Sequence, residues 1–114
     1  MAIPEGVKQQ IENKLREYCS NRIPEHASDM VKLDFKIKGN SITLFEMRPA
    51  FDKTNEWVDI VIAQFRHNPE NSFWTLYCAD RNSKWNRYID TDPTEDFDKL
   101  LKEVEKDPTG IFWG

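Results

Sequence analysis

The feature that most constrains this fold is a strict two-residue alternation over residues 31–38. Four apolar side chains alternate there with four charged ones: Val31, Leu33, Phe35 and Ile37 against Lys32, Asp34, Lys36 and Lys38. This period predicts a β-strand with one buried face. Gly39-Asn40 follows, and both residues tolerate the positive φ that a two-residue hairpin turn requires. The chain is therefore expected to fold back into a second antiparallel strand over residues 41–48.

Further strand and turn signals continue this pattern along the chain. Pro49 has no N–H to donate, which predicts the end of the second strand. A polar loop is expected over residues 50–56, followed by a third strand over 58–66 and a turn over 67–71. A fourth strand is predicted over 73–79 and a fifth over 84–89. Short consecutive strands with turns between them predict an antiparallel β-meander.

Helical patterns flank the strands on both sides. Pro4 suits a first helical turn, and apolar residues recur at helical spacing up to Tyr18, which predicts an N-terminal helix. This helix should end near Asn21-Arg22, because Pro24 disfavours helical geometry at the residue before it. Residues 24–30 are expected to be a linker.

The C-terminal segment predicts a second helix and a docked tail. Asp92 is the expected N-cap, Pro93 occupies the first turn and Glu95 completes a capping box. An apolar stripe follows, formed by Phe97, Leu100, Leu101 and Val104, and Asp107-Pro108 ends the helix. The apolar tail Ile111-Phe112-Trp113 is expected to pack on the body or on a partner. The fold class predicted is thus α+β: an antiparallel β-meander of about five strands with an N-terminal and a C-terminal helix packed on it. At 114 residues, a single domain spanning residues 1–114 is expected.

Charge and cysteine usage exclude several classes of protein. The net charge is −4, and residues 31–89 carry nine basic against seven acidic side chains, so no concentrated basic face for duplex DNA is indicated. The longest uncharged apolar stretch, residues 60–63, is too short to span a membrane, and residues 1–5 lack the features of a signal peptide. Cys19 and Cys78 form no CxxC motif, so both are interpreted as core thiols in a reducing cytoplasm.

Several runs of residues also match the order of motifs in one family. They are Cys19-Ser20-Asn21-Arg22-Ile23-Pro24, Phe45-Glu46-Met47-Arg48-Pro49, Ala63-Gln64-Phe65-Arg66, Trp74-Thr75-Leu76-Tyr77, Asp80-Arg81-Asn82-Ser83-Lys84-Trp85 and Gly110-Ile111-Phe112-Trp113-Gly114. Together they resemble the bacterial family known as domain of unknown function 3024, over nearly the whole chain. The resemblance implies a compact bacterial single-domain protein and carries no activity with it.

Strand register predicts where the charged residues of these motifs lie. A turn at Gly39-Asn40 places Leu33 opposite Glu46 and Val31 opposite Arg48, so Glu46 and Arg48 project from the apolar face. A simple meander would return the start of strand three and the end of strand four to the same end of the sheet. The candidate ligand-binding site predicted there comprises Glu46, Arg48, Asp80, Arg81 and Lys84, with Trp57 and Trp85 nearby. Gln64, Arg66 and His67 are expected at the opposite end.

Two interpretations of this candidate site follow from the residue types. Glu46 and Arg48 are interpreted first as an ion pair that closes the core, and second as a clamp for an anion or carboxylate. Residues 80–84 are interpreted first as a turn in which the Asp80 carboxylate accepts from backbone N–H groups. The alternative is a polar loop walled by Trp57 and Trp85 that stacks a planar ligand.

Catalytic patterns are weak in this chain. Asp34 falls on the opposite face from Glu46, His26 and His67 are isolated, and four glycines form no phosphate-binding loop. No catalytic residue, metal or cofactor is therefore predicted, and the role favoured is a non-catalytic binding or interaction module.

Partners follow from the same patterns. Strand four is apolar on both faces, which requires cover from the helices or from a second copy in a homodimer. The alternative is a binder of a small ligand or single-stranded nucleic acid at the end of the sheet that carries Arg48, Arg81, Trp57 and Trp85. A second alternative is a hydrolase that uses Glu46 and Asp80. No binding to duplex DNA or to membranes is expected.

Overall fold

The predicted α+β architecture is confirmed. The computed structural model describes residues 3–22, 31–49, 56–82 and 84–113. Its elements are α1 (Glu5–Arg22), β1 (Lys32–Lys38), β2 (Ser41–Pro49), β3 (Trp57–Asn68), β4 (Phe73–Ala79), β5 (Trp85–Arg87) and α2 (Phe97–Lys106). The five strands form one antiparallel sheet in the order β1-β2-β3-β4-β5. The predicted linker at 24–30 lies outside the described residues, as does all but residue 56 of the predicted loop at 50–56.

The first hairpin has the predicted register. Lys38 pairs with Ser41 and Leu33 with Glu46 across the turn. Gly39 adopts a φ of 60°, the left-handed conformation that the first position of a tight hairpin turn needs. The Asn40 side-chain amide donates to the backbone oxygen of His67 at 2.9 Å, and the His67 N–H donates to the Asn40 carbonyl at 2.8 Å. The turn is thereby joined to the far end of β3.

Several strand boundaries differ from the prediction. Pro49 is the last residue of β2 and pairs with Trp57. A proline is tolerated there because, among the described residues, β1 pairs with β2 only as far as Met47, so this end of β2 is an edge. His67 and Asn68 belong to β3 and not to a turn, since they pair with Trp74 and Phe73. The fifth strand is shorter than predicted, although the Tyr88 N–H still donates to the Leu76 carbonyl at 2.9 Å. A bulge in β3 also places Ile62 as an extra residue between the partners of Leu44 and Phe45.

Register separates the sheet into two faces. One face, here called the core face, carries the buried side chains that pack against both helices: Leu33, Ile42, Leu44, Ala63, Phe65, Trp74, Leu76 and Cys78. From the helices, Ile11, Leu15, Phe97, Leu100 and Val104 complete this layer. The Phe97 ring lies 4.7 Å from the Phe65 ring and 5.1 Å from the Trp74 ring, measured between centroids. The core therefore lies between the sheet and the two helices.

The opposite side of the sheet is here called the open face. Antiparallel partners share a face, so pairing assigns to it the following residues: Lys32, Asp34, Lys36, Lys38, Ser41, Thr43, Phe45, Met47, Pro49, Trp57, Asp59, Val61, Gln64, Arg66, Asn68, Phe73, Thr75, Tyr77, Ala79, Trp85 and Arg87. Neither α1 nor α2 packs there, because their buried residues belong to the core on the other side.

The start of α2 was predicted wrongly. The helix begins at Phe97 with Asp96 as its N-cap, and Asp96 makes no side-chain capping bond. The segment assigned to a capping box is extended instead, since Trp74 and Thr94 exchange two backbone hydrogen bonds of 2.7 and 3.0 Å. Pairing with β4 thus overrides the local capping signal of Asp92 and Glu95.

The C-terminal tail docks on the body, as predicted, except for one residue. Phe112 is buried, and the indole Nε1 of Trp113 donates to the Val104 carbonyl at 2.9 Å. The Asp107 carboxylate accepts from the backbone N–H groups of Phe112 and Trp113 at 3.0 and 2.8 Å. Ile111 is exposed.

Neither of the two described helices has the length and apolar character needed to cross a membrane.

Candidate functional site

Glu46 and Arg48 form the ion pair that the sequence favoured. The Arg48 Nε donates to the Glu46 Oε1. The Glu46 side chain is 11% exposed, whereas that of Arg48 is 54% exposed. The hydrogen bond from Arg48 to Glu46 raises the pKa of Arg48 above its ordinary value. Glu46 thus faces the core with its charge neutralised by a guanidinium that reaches solvent.

Asp80 is held in a turn. Its carboxylate accepts from the backbone N–H groups of Asn82 and Lys84 at 2.8 and 3.0 Å and from the Asn86 side-chain amide at 3.2 Å. The bond from the Lys84 N–H is the main cause that holds the pKa of Asp80 below its ordinary value. This geometry matches the first interpretation of residues 80–84, in which Asp80 organises a turn.

The two groups of residues in the predicted site both lie near residues 58–61 of β3 but are not bonded to one another within the described residues. Arg48 pairs with Val58 near the start of β3, whereas Asp80 borders a separate cavity of about 400 Å³ with residues 59–61 and Trp85. Within the described residues, no hydrogen bond or ion pair joins Glu46 or Arg48 to residues 80–84. The Arg81 and Lys84 residues are exposed in the turn.

Trp57 and Trp85 share the open face but lie in different places. Trp57 pairs with Pro49 and is covered by the Lys32 ammonium, whose Nζ lies 4.6 Å from the ring centroid. Trp85 pairs with Ala79 across β4 and β5. The indole of Trp85 makes no ring or cation contact with any residue that the structure describes.

A polar network that the sequence did not predict crosses the centre of the open face. The Gln64 Nε2 donates to the Thr43 Oγ1 at 3.0 Å, and the Arg66 Nε donates to the Gln64 Oε1 at 2.7 Å. The Arg66 guanidinium lies over the Tyr77 ring, 3.8 Å from its centroid. These bonds fix a guanidinium plane on the surface of the sheet.

The network borders a cavity on the sheet. This cavity of about 770 Å³ is lined almost entirely by open-face residues: Lys36, Lys38, Ser41, Thr43, Val61, Gln64, Arg66 and Trp85, together with Ile37. Its volume falls within the range of small-molecule and cofactor sites. Lining by residues from β1, β2, β3 and β5 means that the open face is concave.

The charge of the open face is opposite to that of the whole chain. Five basic side chains, Lys32, Lys36, Lys38, Arg66 and Arg87, stand on it against two acidic ones, Asp34 and Asp59, although the chain carries −4. In the described part of the chain, no carboxylate forms an ion pair with Lys36, Lys38, Arg66 or Arg87. The face therefore presents uncompensated positive charge beside aromatic rings.

A signal for this face was present in the sequence. The alternation of residues 31–38 already put three lysines on one side of β1. Gln64, Arg66 and His67 lie together at the far end of β3, as expected, but on different faces. Gln64 and Arg66 stand on the open face, whereas His67 is buried on the core face against Trp74, at 4.8 Å between ring centroids. Strand pairing with β2 and β4 is the information that a list of motifs lacks.

Cys19, Cys78 and His67 are not among the residues that line the cavity of about 770 Å³. Burial raises the pKa of Cys19 to about 12, and Cys78 is buried with its Sγ 3.5 Å from the Asn86 carbonyl. Burial also lowers the pKa of His67. Among the described residues, no three His, Cys, Asp or Glu side chains are grouped as ligands for a metal.

The fold defines a small α+β protein in which both described helices lie on one side of an antiparallel sheet. The chain belongs to the family described as domain of unknown function (DUF3024), whose family model matches residues 3–114. The resemblance inferred from the sequence motifs is thereby confirmed. Comparison with curated proteins and comparison with solved structures each gave no match.

Proposed function

We propose that this protein is a non-catalytic binding module that takes an anionic ligand on the open face of its sheet. The observation that carries the proposal is the concave cavity of about 770 Å³ that Lys36, Lys38 and Arg66 line. Cations that form no ion pair with the protein's own described carboxylates are available to an anion from outside. The ligand-binding residues proposed from the structure are therefore those of the open face.

The state of the earlier candidates supports a non-catalytic role. Glu46 is paired with Arg48, and the Asp80 carboxylate is engaged by three donors within its own turn. A general base works best with a pKa near the operating pH, and the hydrogen bonds of the turn lower the pKa of Asp80 below its ordinary value. Trp85 alone of the seven predicted site residues lines the proposed cavity.

Matched charge reversals test the proposal. We expect the Lys36→Glu, Lys38→Glu variant to elute from a heparin column at lower salt than the parent protein, because the open face loses its positive charge. The Lys99→Glu, Lys102→Glu variant, altered on α2, changes the net charge equally and should elute with a much smaller shift. Equal shifts for the two variants, or no retention of the parent protein at low salt, would contradict the proposal.

Self-association is a second candidate function, favoured by a different observation. Near its start, β3 carries two exposed large apolar side chains on the side of the sheet opposite the open face, Val58 and Ile60, which are 46% and 44% exposed. Exposed apolar side chains grouped in this way are typical of interaction surfaces. Light scattering after size exclusion should give a dimer mass that Ile60→Ser lowers. A monomer mass for the parent protein would exclude this candidate and leave the open-face proposal untouched.

A further inference from the structure

Resting on the proposed binding function, we infer that the ligand of the open face is single-stranded nucleic acid, with phosphates along the basic rows and bases against Trp85 and the Arg66–Tyr77 stack. Proteins that bind single strands combine a basic groove with aromatic platforms on which bases stack. Both components occur here on one side of one sheet.

Most basic side chains of the open face lie in two rows across the sheet. Register places Lys38, Ser41, Arg66 and Thr75 in one row across the sheet, and Lys36, Thr43, Gln64, Tyr77 and Arg87 in the next. The second row runs from β1 to β5, four strand spacings or roughly 19 Å along a flat sheet. Charges spread over that width fit several phosphates of one chain better than a single phosphate group.

The open face also presents an indole and a guanidinium on which bases could stack. Trp85 has no ring or cation partner among the described residues, and it lines both the cavity of about 770 Å³ and its neighbour of about 400 Å³. Its indole therefore stands where the two cavities adjoin. The central carbon of the Arg66 guanidinium lies 3.8 Å from the centroid of the Tyr77 ring, and a guanidinium plane can itself stack a base.

The two cavities that Trp85 lines differ in the charge of their other lining residues. The larger one is lined by three basic side chains, whereas the smaller one is lined by Asp59 and Asp80. Phosphates would be repelled from the carboxylates, while the amino groups of bases can donate to a carboxylate such as Asp59. This division favours a strand whose backbone follows the lysines and whose bases turn toward Trp85.

An acidic peptide is the main rival ligand, since it would also satisfy the lysines. The Asp and Glu side chains of such a peptide offer no aromatic rings to stack on Trp85 and the guanidinium plane, which is why the structure favours nucleic acid. Duplex DNA is disfavoured, because its bases are already stacked on one another and cannot reach Trp85.

The test is fluorescence anisotropy with a labelled mixed-sequence single strand of about 10 nucleotides, a length within the site sizes of about 4–16 nucleotides that single OB folds occupy. With four contacts between cationic side chains and phosphates, a plot of the logarithm of the association constant against the logarithm of the salt concentration should have a slope of about −2.8. Lys36→Ala should make this slope shallower by about 0.7, and the control Lys99→Ala should leave it unchanged.

Substitution of Trp85 separates this inference from the proposed function. Trp85→Leu keeps an apolar side chain on β5 and should weaken oligonucleotide binding between about 5- and 100-fold, with the salt slope and heparin retention unchanged. Because the variant could alter folding, quenching of the parent protein's tryptophan fluorescence by the unlabelled strand is measured in parallel and is expected to accompany binding.

The results distinguish a failure of the nucleic-acid inference from a failure of the proposed binding function. Heparin binding on the open face with oligonucleotide binding no tighter than that of poly-glutamate, duplex DNA or adenosine monophosphate would overturn the inference and leave the proposed function standing. An unchanged affinity in a folded Trp85→Leu protein would do the same. Absence of binding to heparin and to the oligonucleotide alike would overturn both.

Discussion

The two faces of the same sheet differ in what fills them. On the core face, alternating strand residues are apolar and covered by α1 and α2, down to Phe65, Leu44 and Leu76 at 0% exposure. On the open face, the intervening residues are basic, aromatic and hydrogen-bonded to one another across strands. The period of two thus lets one run of residues specify a core and a binding surface at once. Stability should therefore reside mainly on the core face, and affinity on the open face.

A matched pair of phenylalanine truncations tests the contrast in stability and has the largest expected effect. Phe65→Ala removes a fully buried ring that contacts Phe97 and should lower the free energy of unfolding by about 3–5 kcal/mol. Phe45→Ala removes a half-buried ring from the open face and should cost less than half of that. Urea denaturation of both variants measures the difference, and equal losses would contradict the division between the faces.

Truncation after Thr109 tests whether the tail belongs to the core. The change removes the buried Phe112 and the bond from the Trp113 indole to Val104, so we expect a loss of about 2 kcal/mol and a Tm lower by several degrees. Ile111→Ala is the control, because this side chain is exposed and its loss should change Tm little. An unchanged melting curve for the truncated protein would show that the tail adds nothing to stability.

Arg48→Met tests the one ion pair at the edge of the core face. A fully buried pair would make this substitution cost about 3–5 kcal/mol, but the Arg48 side chain is 54% exposed, so water can replace part of its interaction. We expect a loss of about 1–2 kcal/mol, and the double variant Glu46→Gln, Arg48→Met should recover part of it. A double-mutant cycle by chemical denaturation measures the coupling. Coupling near zero would mean that the pair does not stabilise the core.

The burial of His67 on the core face should make the stability of the protein depend on pH, and this is the smallest of the expected effects on stability. Burial lowers its pKa below the ordinary 6.5, so the unfolded chain takes up this proton before the folded one does. The stabilisation is complete above pH 6.5 and is lost as the pH falls toward the folded pKa, by at most about 1.4 kcal/mol per pH unit. His67→Phe should show a weaker pH dependence between pH 7.5 and 5.5 in urea denaturation. Identical pH profiles would place His67 in water rather than in the core.

Much of the fold was predictable because the hydrophobic period is a local signal. The alternation of residues 31–38 and the Gly39-Asn40 turn predicted the first hairpin with its register. The start of α2 was not predictable in this way, since Thr94 pairs with Trp74, a partner twenty positions away, and that pairing outweighs a capping box. The bulge at Ile62 likewise depends on the fit between β2 and β3.

The candidate site was harder to predict than the fold. The order of motifs drew attention to Glu46, Arg48 and Asp80, which are engaged within the protein. The cavity of the open face is lined mainly by alternate residues of four strands, such as Lys36, Arg66 and Trp85, and they are neighbours only after the strands pair. A surface made of alternate residues from several strands leaves no contiguous motif in the sequence.

The four tryptophans allow the most direct test of the central claim, that the open face and not the helix-covered side binds the ligand. Trp57 and Trp85 lie on the open face, whereas Trp74 is buried in the core and Trp113 is bonded to α2. The four indole N–H resonances are followed by ¹⁵N NMR during a titration with the same single strand of about 10 nucleotides. The Trp85 signal should shift most, while the signals of Trp74 and Trp113 should stay in place. A shift of Trp74 or Trp113 with Trp85 unmoved would contradict the account.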